Sequence, residues 1–305
     1  MRKQIRKIRQ VLIGFLLQNR SKNGYYAIDL NTDGMGLGAR IINMLEILLY
    51  CDTKGYIPLF KFNYKEKNNT VDYFRELFYY KNEPAVIHLK IKYTSIRDTS
   101  DLVWKNFDKR LRLNMAKDLF EKYFGFNQNI IEEVNAFTNQ WFTGNKILGV
   151  HYRGTDKLTE APEVTYEELV HYIHKILADD PALNFIFLSS DDARVIHFLE
   201  NSNLPVPVVC RDDSIRSKTG DQIHLKQENS KVIINRDAIV NCLILSRCDH
   251  LLKTASLLSD CSVIFNPDLR VSVINSPYQH KTWWPTSEIN EYAFVENAEK
   301  MLDKI

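Results

Sequence analysis

Short apolar runs alternate along the chain with longer stretches whose apolar residues recur at i, i+3 and i+4. Such alternation predicts strand and helix in turn, the pattern of parallel α/β layers. In the first half, "YYAIDL" (25–30) predicts a strand, "GARIINMLEILLYCDTKG" (38–55) a helix and "IPLFKF" (57–62) a second strand. "TVDYFRELFYY" (70–80) predicts a helix and "AVIHLKI" (85–91) a further strand. Residues 92–112 are polar and irregular, and helices are expected over about 113–124 and 128–143.

The second series is cleaner. "KILGVHY" (146–152) predicts a strand, about 165–178 a helix, and "NFIFLSS" (184–190) a strand. "DDARVIHFLENSN" (191–203) predicts a helix whose acidic start suits the positive end of its dipole. Strand "VPVVC" (206–210), a polar loop to about 230 and helix "RDAIVNCLILSRC" (236–248) follow. "HLLKT" (250–254), a helix over 256–264, strand "VSVIN" (271–275) and a terminal helix over about 287–304 complete the set. The expected fold is α/β, with two Rossmann-like domains facing each other across a cleft near residues 140–146. The domains expected are 1–144 and 145–286, with 287–305 as the terminal helix.

A chain of 305 residues, 45% of them hydrophobic, suits two domains better than one core. The formal net charge of +2 gives no reason to expect nucleic acid or another polyanion, so any basic site must be local. Five cysteines (Cys51, Cys210, Cys242, Cys248 and Cys261) with no CxxC pair read as buried free thiols in a reducing compartment. The start, "MRKQIRKIRQVLIGFLLQNRSKNG", joins basic residues to an apolar run from Val11 to Leu17. That run is too short to span a bilayer, and Gln18-Asn19-Arg20 offers no small-residue cleavage site. It reads as a surface helix on the first domain, with peripheral contact to an anionic membrane as the alternative. The expected location is cytoplasmic.

The chemistry concentrates in "KILGVHYRGTDKLTEA" (146–161), an apolar run that ends in His, Arg, Asp, Lys and Glu. Ligands of parallel α/β sheets bind beyond the carboxyl ends of the strands, so this cluster should face a ligand. His151 and Arg153 alternate with Tyr152 and Gly154, and strand periodicity can put the first two on one side. Arg153 offers a planar fork of donors matched to phosphate, Gly154 allows close backbone approach, Asp156 can orient Arg153 or Lys157, and Lys157 adds a compact charge. A solvated turn with a local salt bridge is the plainer alternative.

"DGMGLGAR" (33–40) sets Gly34, Gly36 and Gly38 between a strand and a helix. The spacing is G-x-G-x-G, not G-x-G-x-x-G, and no acidic residue ends the next strand, which argues against a nicotinamide dinucleotide site. A glycine loop at a helix start, with Arg40 beside it, can still face a pyrophosphate or acceptor; a tight turn is the alternative. Asp191 and Asp192 are adjacent, which suits a helix cap better than a metal pair. Thr254 and Ser256 follow a strand and open a helix, where hydroxyls and amides suit diphosphate oxygens or serve as an ordinary cap. His171, His174, His197 and His224 lack ligand spacing, and "WWP" (283–285) can stack on a sugar or plug a core.

Together these pieces resemble the fucosyltransferase group that includes the α1,6-fucosyltransferases and the rhizobial nodulation fucosyltransferase. The residues that carry the resemblance are "GVHYRGTDKLTEA", "DAIVNCLILSRCDHLLKTAS", "FLSSDDARVI" and "GMGLGARIINMLEILLY", spread over about residues 28 to 276. The resemblance implies a GT-B-like fold, GDP-fucose as donor, a glycan hydroxyl as acceptor, inversion at the anomeric carbon, and no metal or other cofactor. It implies that Arg153 grips the donor diphosphate, His151 contacts the nucleoside side, Lys157 lies near the acceptor-side carboxylate, and Ser256 meets the diphosphate. Glu160 falls where the group places its catalytic base, although one residue fewer separates it from Lys157 than in the α1,6 enzymes. Where those enzymes read guanine with an Asp, this chain has Asn241, whose amide supplies one acceptor beside two donors. Asp237, one helical turn earlier, is placed to compensate; otherwise guanine recognition is weaker or the donor base differs. A same-fold transferase with another nucleotide sugar and a glycan- or nucleotide-binding protein without turnover remain the alternatives.

Overall fold

The computed structural model describes residues 25–30, 36–66, 69–82, 94–95, 110–154, 161–220, 230–277 and 284–292. The chain forms two compact units, one of residues 1–35, 40–111 and 118–127, the other of 36–39, 112–117 and 128–305. The expected strand over 85–91 lies outside the described residues.

In the first unit, β1 (Tyr25–Asp29) lies between β2 (Ile57–Lys61) and β6 (Thr94–Ser95), with both pairings parallel. Helix α1 (Leu37–Lys54) connects β1 to β2 and buries Ile41, Met44, Leu45 and Leu48 completely. Those four lie at the i, i+3, i+4, i+7 spacing of one helix face. Two antiparallel pairs follow, β3 (Asn63–Glu66) with β4 (Asn69–Asp72), and β5 (Phe78–Tyr80) with β7 (Phe124–Phe126).

The helix expected over 70–80 is therefore replaced by β4, the single helical turn α2 (Phe74–Leu77) and β5. The Asp72 carboxylate accepts from the amides of both Phe62 and Phe74 at 3.0 Å, which ends β4 and fixes the turn. Phe74 then packs edge-on to Phe62 at 5.2 Å and to Phe124 at 5.4 Å, while the Tyr80 hydroxyl accepts from the Phe60 amide. Aromatic burial and this carboxylate outweigh the helical period of the segment.

The second unit carries a five-stranded sheet, all parallel, in the order β10-β9-β8-β11-β12. Its strands are β8 (Ile147–Tyr152), β9 (Phe185–Ser190), β10 (Val208–Val209), β11 (His250–Lys253) and β12 (Arg270–Val273). The expected strand over 206–210 shrinks to two residues. The chain builds outward from β8 to β10, then returns to the other side of β8 with β11. The order therefore reverses between β8 and β11, which creates a topological switch point at their carboxyl ends.

After α3 (Leu113–Tyr123), the helices among the described residues are α4 (Gln128–Trp141), α5 (Tyr166–Asp179), α6 (Ala193–Glu200), α7 (Lys231–Leu245), α8 (Leu257–Phe265) and α9 (Thr286–Tyr292). Helix α7 begins five residues before its expected start, where the Ser230 hydroxyl accepts from the Val232 amide. A capping box of Thr165 and Glu168 starts α5. Leu148, Val150 and Tyr152 on one face of β8 join a core with Leu169, Ile173, Val195 and Leu199 from α5 and α6. On the opposite face a side chain at Gly149 would strike the Cys248 Sγ at 2.8 Å, so the bare backbone lets this layer close over the sheet. All five cysteines are free, four of them buried and Cys210 half-buried.

Candidate active site

The carboxyl ends of β8 and β11 are tied to each other. Lys253 is in register with His151, the Thr254 amide donates to the His151 carbonyl at 3.0 Å, and the Arg153 amide donates to the Thr254 Oγ1 at 2.9 Å. His151, on the same strand face as Gly149, is 5% exposed, and its Nδ1 has no hydrogen-bond partner among the described residues. Burial, reinforced by the Lys253 and Arg153 cations, pushes the imidazole down to about 3. It is therefore neutral at pH 7, with one ring nitrogen able to donate and the other to accept.

Arg153 follows directly. Its Nε lies 3.8 Å from the Asp191 Oδ2, an ion-pair separation rather than a hydrogen bond, and both side chains are about one-fifth exposed. Asp191 is also fixed through its backbone, because its carbonyl accepts from the Ser217 amide at 2.7 Å. Asp192, by contrast, is a structural cap. It is fully buried, accepts from the Arg194 amide, takes the Arg194 guanidinium at 2.7–3.2 Å and accepts from the Tyr166 hydroxyl at 3.0 Å. Burial pushes the Asp192 carboxyl upward, but these donors outweigh it and hold it below its ordinary value.

Thr254 and Ser256 are both buried where β11 passes into α8. Ser256 occupies the N-cap position, yet its hydroxyl makes no capping bond; its carbonyl accepts from the Asp260 amide. The Ala255 amide between them donates to the Asn275 Oδ1 at 2.7 Å, and the Asn275 amide nitrogen donates to the Pro162 carbonyl. These bonds set the path of the chain from strand to helix start, where backbone amides suit an anion.

The glycines read differently in three dimensions. Gly38 belongs to the second unit, where a Cβ on it would lie 2.5 Å from the Leu258 amide nitrogen, so its absent side chain lets backbone pack on the start of α8. A Cβ on Gly36 would meet nothing within 4 Å among the described residues. A Cβ on Gly154 would meet the Tyr152 ring at 2.5 Å, so an aromatic neighbour already requires glycine there. Arg40 is buried, donates to the Leu30 carbonyl and lies over the Tyr73 ring at 5.6 Å, which commits it to holding the exit of β1.

Asp237 and Asn241 share one face of α7 and form a single network. The Asn241 amide donates to the Asp237 Oδ1 at 3.2 Å and to the Ser214 Oγ at 3.1 Å. Asp237 also takes the Arg211 guanidinium at 2.8 Å and the Ile215 amide at 3.1 Å. Burial raises its carboxyl, with Arg211 opposing. Arg211, 5% exposed, is further held by Glu133 and by Asp213 at 2.9 Å. The loop after β10 is thereby fastened to α4 and α7.

Asp156, Lys157 and Glu160 lie outside the described residues. Among the described residues no group of three His, Cys, Asp or Glu side chains is placed to hold a metal ion, and no helix is long and apolar enough to cross a membrane. Two features of this edge escape the sequence reading. One is Arg211, whose partners lie up to 78 positions away. The other is a buried pair, Lys253 with Asp260 at 2.7 Å, each 1% exposed. A lysine closing the apolar run "HLLK", with a carboxylate in the first turns of the next helix, was its only local signal.

No protein-family model and no curated protein sequence matches the chain. Solved structures match it through the fold. NodZ α1,6-fucosyltransferase soaked with GDP-fucose aligns with a TM-score of 0.57 and 13% identity over 82% of this chain and 95% of that one. NodZ from Bradyrhizobium aligns with a TM-score of 0.54 and 14% identity over 78% and 92%. A point mutant of Arabidopsis thaliana FUT1 in complex with GDP gives 0.54 and 11% over 88% and 75%. The motifs in the sequence and the fold point to the same group of structures, and at these identities the likeness is one of fold.

Proposed function

We propose that the chain is an inverting glycosyltransferase that moves fucose from GDP-fucose to a glycan hydroxyl. The observation that carries this reading is the carboxyl edge of the five-stranded sheet. There, Arg153 and the buried, neutral His151 meet Thr254, Ser256 and the start of α8, on a fold shared with structures solved with GDP and GDP-fucose. In this reading residues 145–286 bind the donor, and residues 1–144 supply the acceptor side.

The chemistry is a direct displacement. Glu160 accepts the proton of the acceptor hydroxyl, the acceptor oxygen bonds to the anomeric carbon, and the bond from that carbon to the diphosphate breaks. Charge that grows on the departing GDP is met by Arg153, the amides at the start of α8 and Ser256. Lys157 and Asp156 act on the acceptor side and on Arg153. The saturated state of Asp237 shapes base recognition, because its carboxylate already serves Arg211, Ile215 and Asn241. A base reader at this position then works through the assembled network rather than through one unengaged carboxylate.

Thermal shifts with GDP, UDP, CMP and ADP, followed by incubation of GDP-fucose with surface-glycan oligosaccharides, test the reading. Selective stabilisation by GDP and a fucosylated product are expected. Stabilisation by another nucleotide in place of GDP would assign a different donor. GDP binding without transfer or donor hydrolysis, unchanged by Glu160→Gln, would make the chain a binding protein.

A further inference from the structure

The pair of Lys253 and Asp260 lies at the strand end that carries the proposed donor site, yet its bonds point inward. Lys253 ends β11 in register with His151, and its Nζ donates to the Asp260 Oδ1 at 2.7 Å. Asp260 lies in the first turns of α8, and its other oxygen accepts from the Thr286 hydroxyl at 2.7 Å. Thr286 opens α9, is itself buried, and follows the Trp284-Pro285 step directly. One carboxylate thus joins a strand end, a helix start and a second helix through bonds with fixed directions.

Burying both charges is expensive, and apolar residues of similar size often fill such a space at no loss of stability. What apolar contacts do not supply is direction: they leave a helix start able to slide and rotate by fractions of an ångström. Amides that meet a diphosphate tolerate little of that movement, since misplacement by about an ångström can cost about a hundredfold in function. A second observation falls at the same edge: the His151 Nδ1, in the register position beside Lys253, is buried with no hydrogen-bond partner among the described residues.

We infer that Lys253, Asp260 and Thr286 are positioning residues that hold the start of α8 and the exit of β11 in the geometry a donor diphosphate requires. The inference rests on the nucleotide-sugar reading of the site. None of the three touches the ligand. They act through the Thr254-to-Leu258 backbone and through the placement of His151.

The test separates a positioning role from a merely structural one. Lys253→Met combined with Asp260→Leu removes both charges together, so no uncompensated charge stays buried. The double variant is expected to melt within a few degrees of the wild-type chain while binding GDP roughly tenfold more weakly, the loss falling on affinity and not on fold. Thr286→Val, which removes a single bond to Asp260, is expected to weaken GDP binding about two- to threefold. GDP binding equal to wild type in a folded double variant would overturn the inference. Should the double variant not fold, wild-type affinity in Thr286→Val would overturn it instead. If the wild-type chain itself gives no GDP binding, the donor reading fails, and the positioning role falls with it.

Discussion

The two edges of the five-stranded sheet use the same kinds of residue to opposite ends. At the amino edge, Lys146 donates to Asp249 at 2.7 Å, the Ile147 amide donates to the same carboxylate at 2.8 Å, and Arg270 meets Asp180 at 3.1 Å. These pairs are solvated, and they close strand ends that need closing. At the carboxyl edge a lysine and an aspartate are sealed from water, an arginine stands 3.8 Å from a carboxylate, and a histidine nitrogen is buried with no hydrogen-bond partner among the described residues. The first edge keeps its charges in solvated pairs, whereas the second buries a charged pair and a neutral histidine at adjoining strand ends.

The largest expected effect breaks that contrast directly. Lys253→Ala leaves the Asp260 carboxylate buried without its cation and should destabilise the chain by about 3–5 kcal/mol in urea unfolding. Lys146→Ala at the other edge should leave the midpoint close to wild type. Equal losses would mean that the edges do not differ in kind.

Next comes the chemistry. On the proposed function, Arg153→Ala should lower fucose transfer by about 10²–10³-fold, the scale of losing a principal stabiliser of developing charge, with little change in melting temperature. Arg270→Ala at the amino edge should leave the rate unchanged. Transfer nearly intact in Arg153→Ala would remove that residue from the donor site.

A smaller effect concerns the two histidines that are buried among the described residues, one at each edge. Burial first, with nearby cations adding, pushes His151 down to about 3 and His250 to about 4, while Asp180 opposes the shift at His250. The unfolded chain therefore binds more protons than the folded chain between those values and an ordinary 6.5, so stability falls as pH drops through that window. Each histidine should cost about 1.5 kcal/mol between pH 6.5 and 5, and His250→Gln should remove about half of the dependence. Urea midpoints that do not change between pH 7 and 5 would show that the imidazoles are not held neutral.

Much of this edge could be read along the chain. The apolar run ending in His151 and Arg153 announced β8 and its charged exit, and Thr254 with Ser256 announced the turn into α8, because strand and helix periods are local. Asp192 was legible as a cap for the same reason. The segment 70–80 was misread since its outcome depends on Asp72 reaching the Phe62 amide and on aromatic packing with Phe124, which no local period encodes. The bond from the Arg153 amide to Thr254 spans 101 positions, so the sequence supplied both residues but not their meeting. Gly38 and Gly154 looked like ligand approaches, yet close neighbours, the Leu258 backbone and the Tyr152 ring, already require them.

Amide hydrogen exchange with and without GDP tests the proposed seat of a nucleoside diphosphate at the carboxyl edge of this sheet. If GDP sits there, protection should rise in residues 151–154 and 253–258, with 146–149 and 247–250 unchanged. Protection confined to the amino edge or to the first unit, or none at saturating GDP, would contradict it.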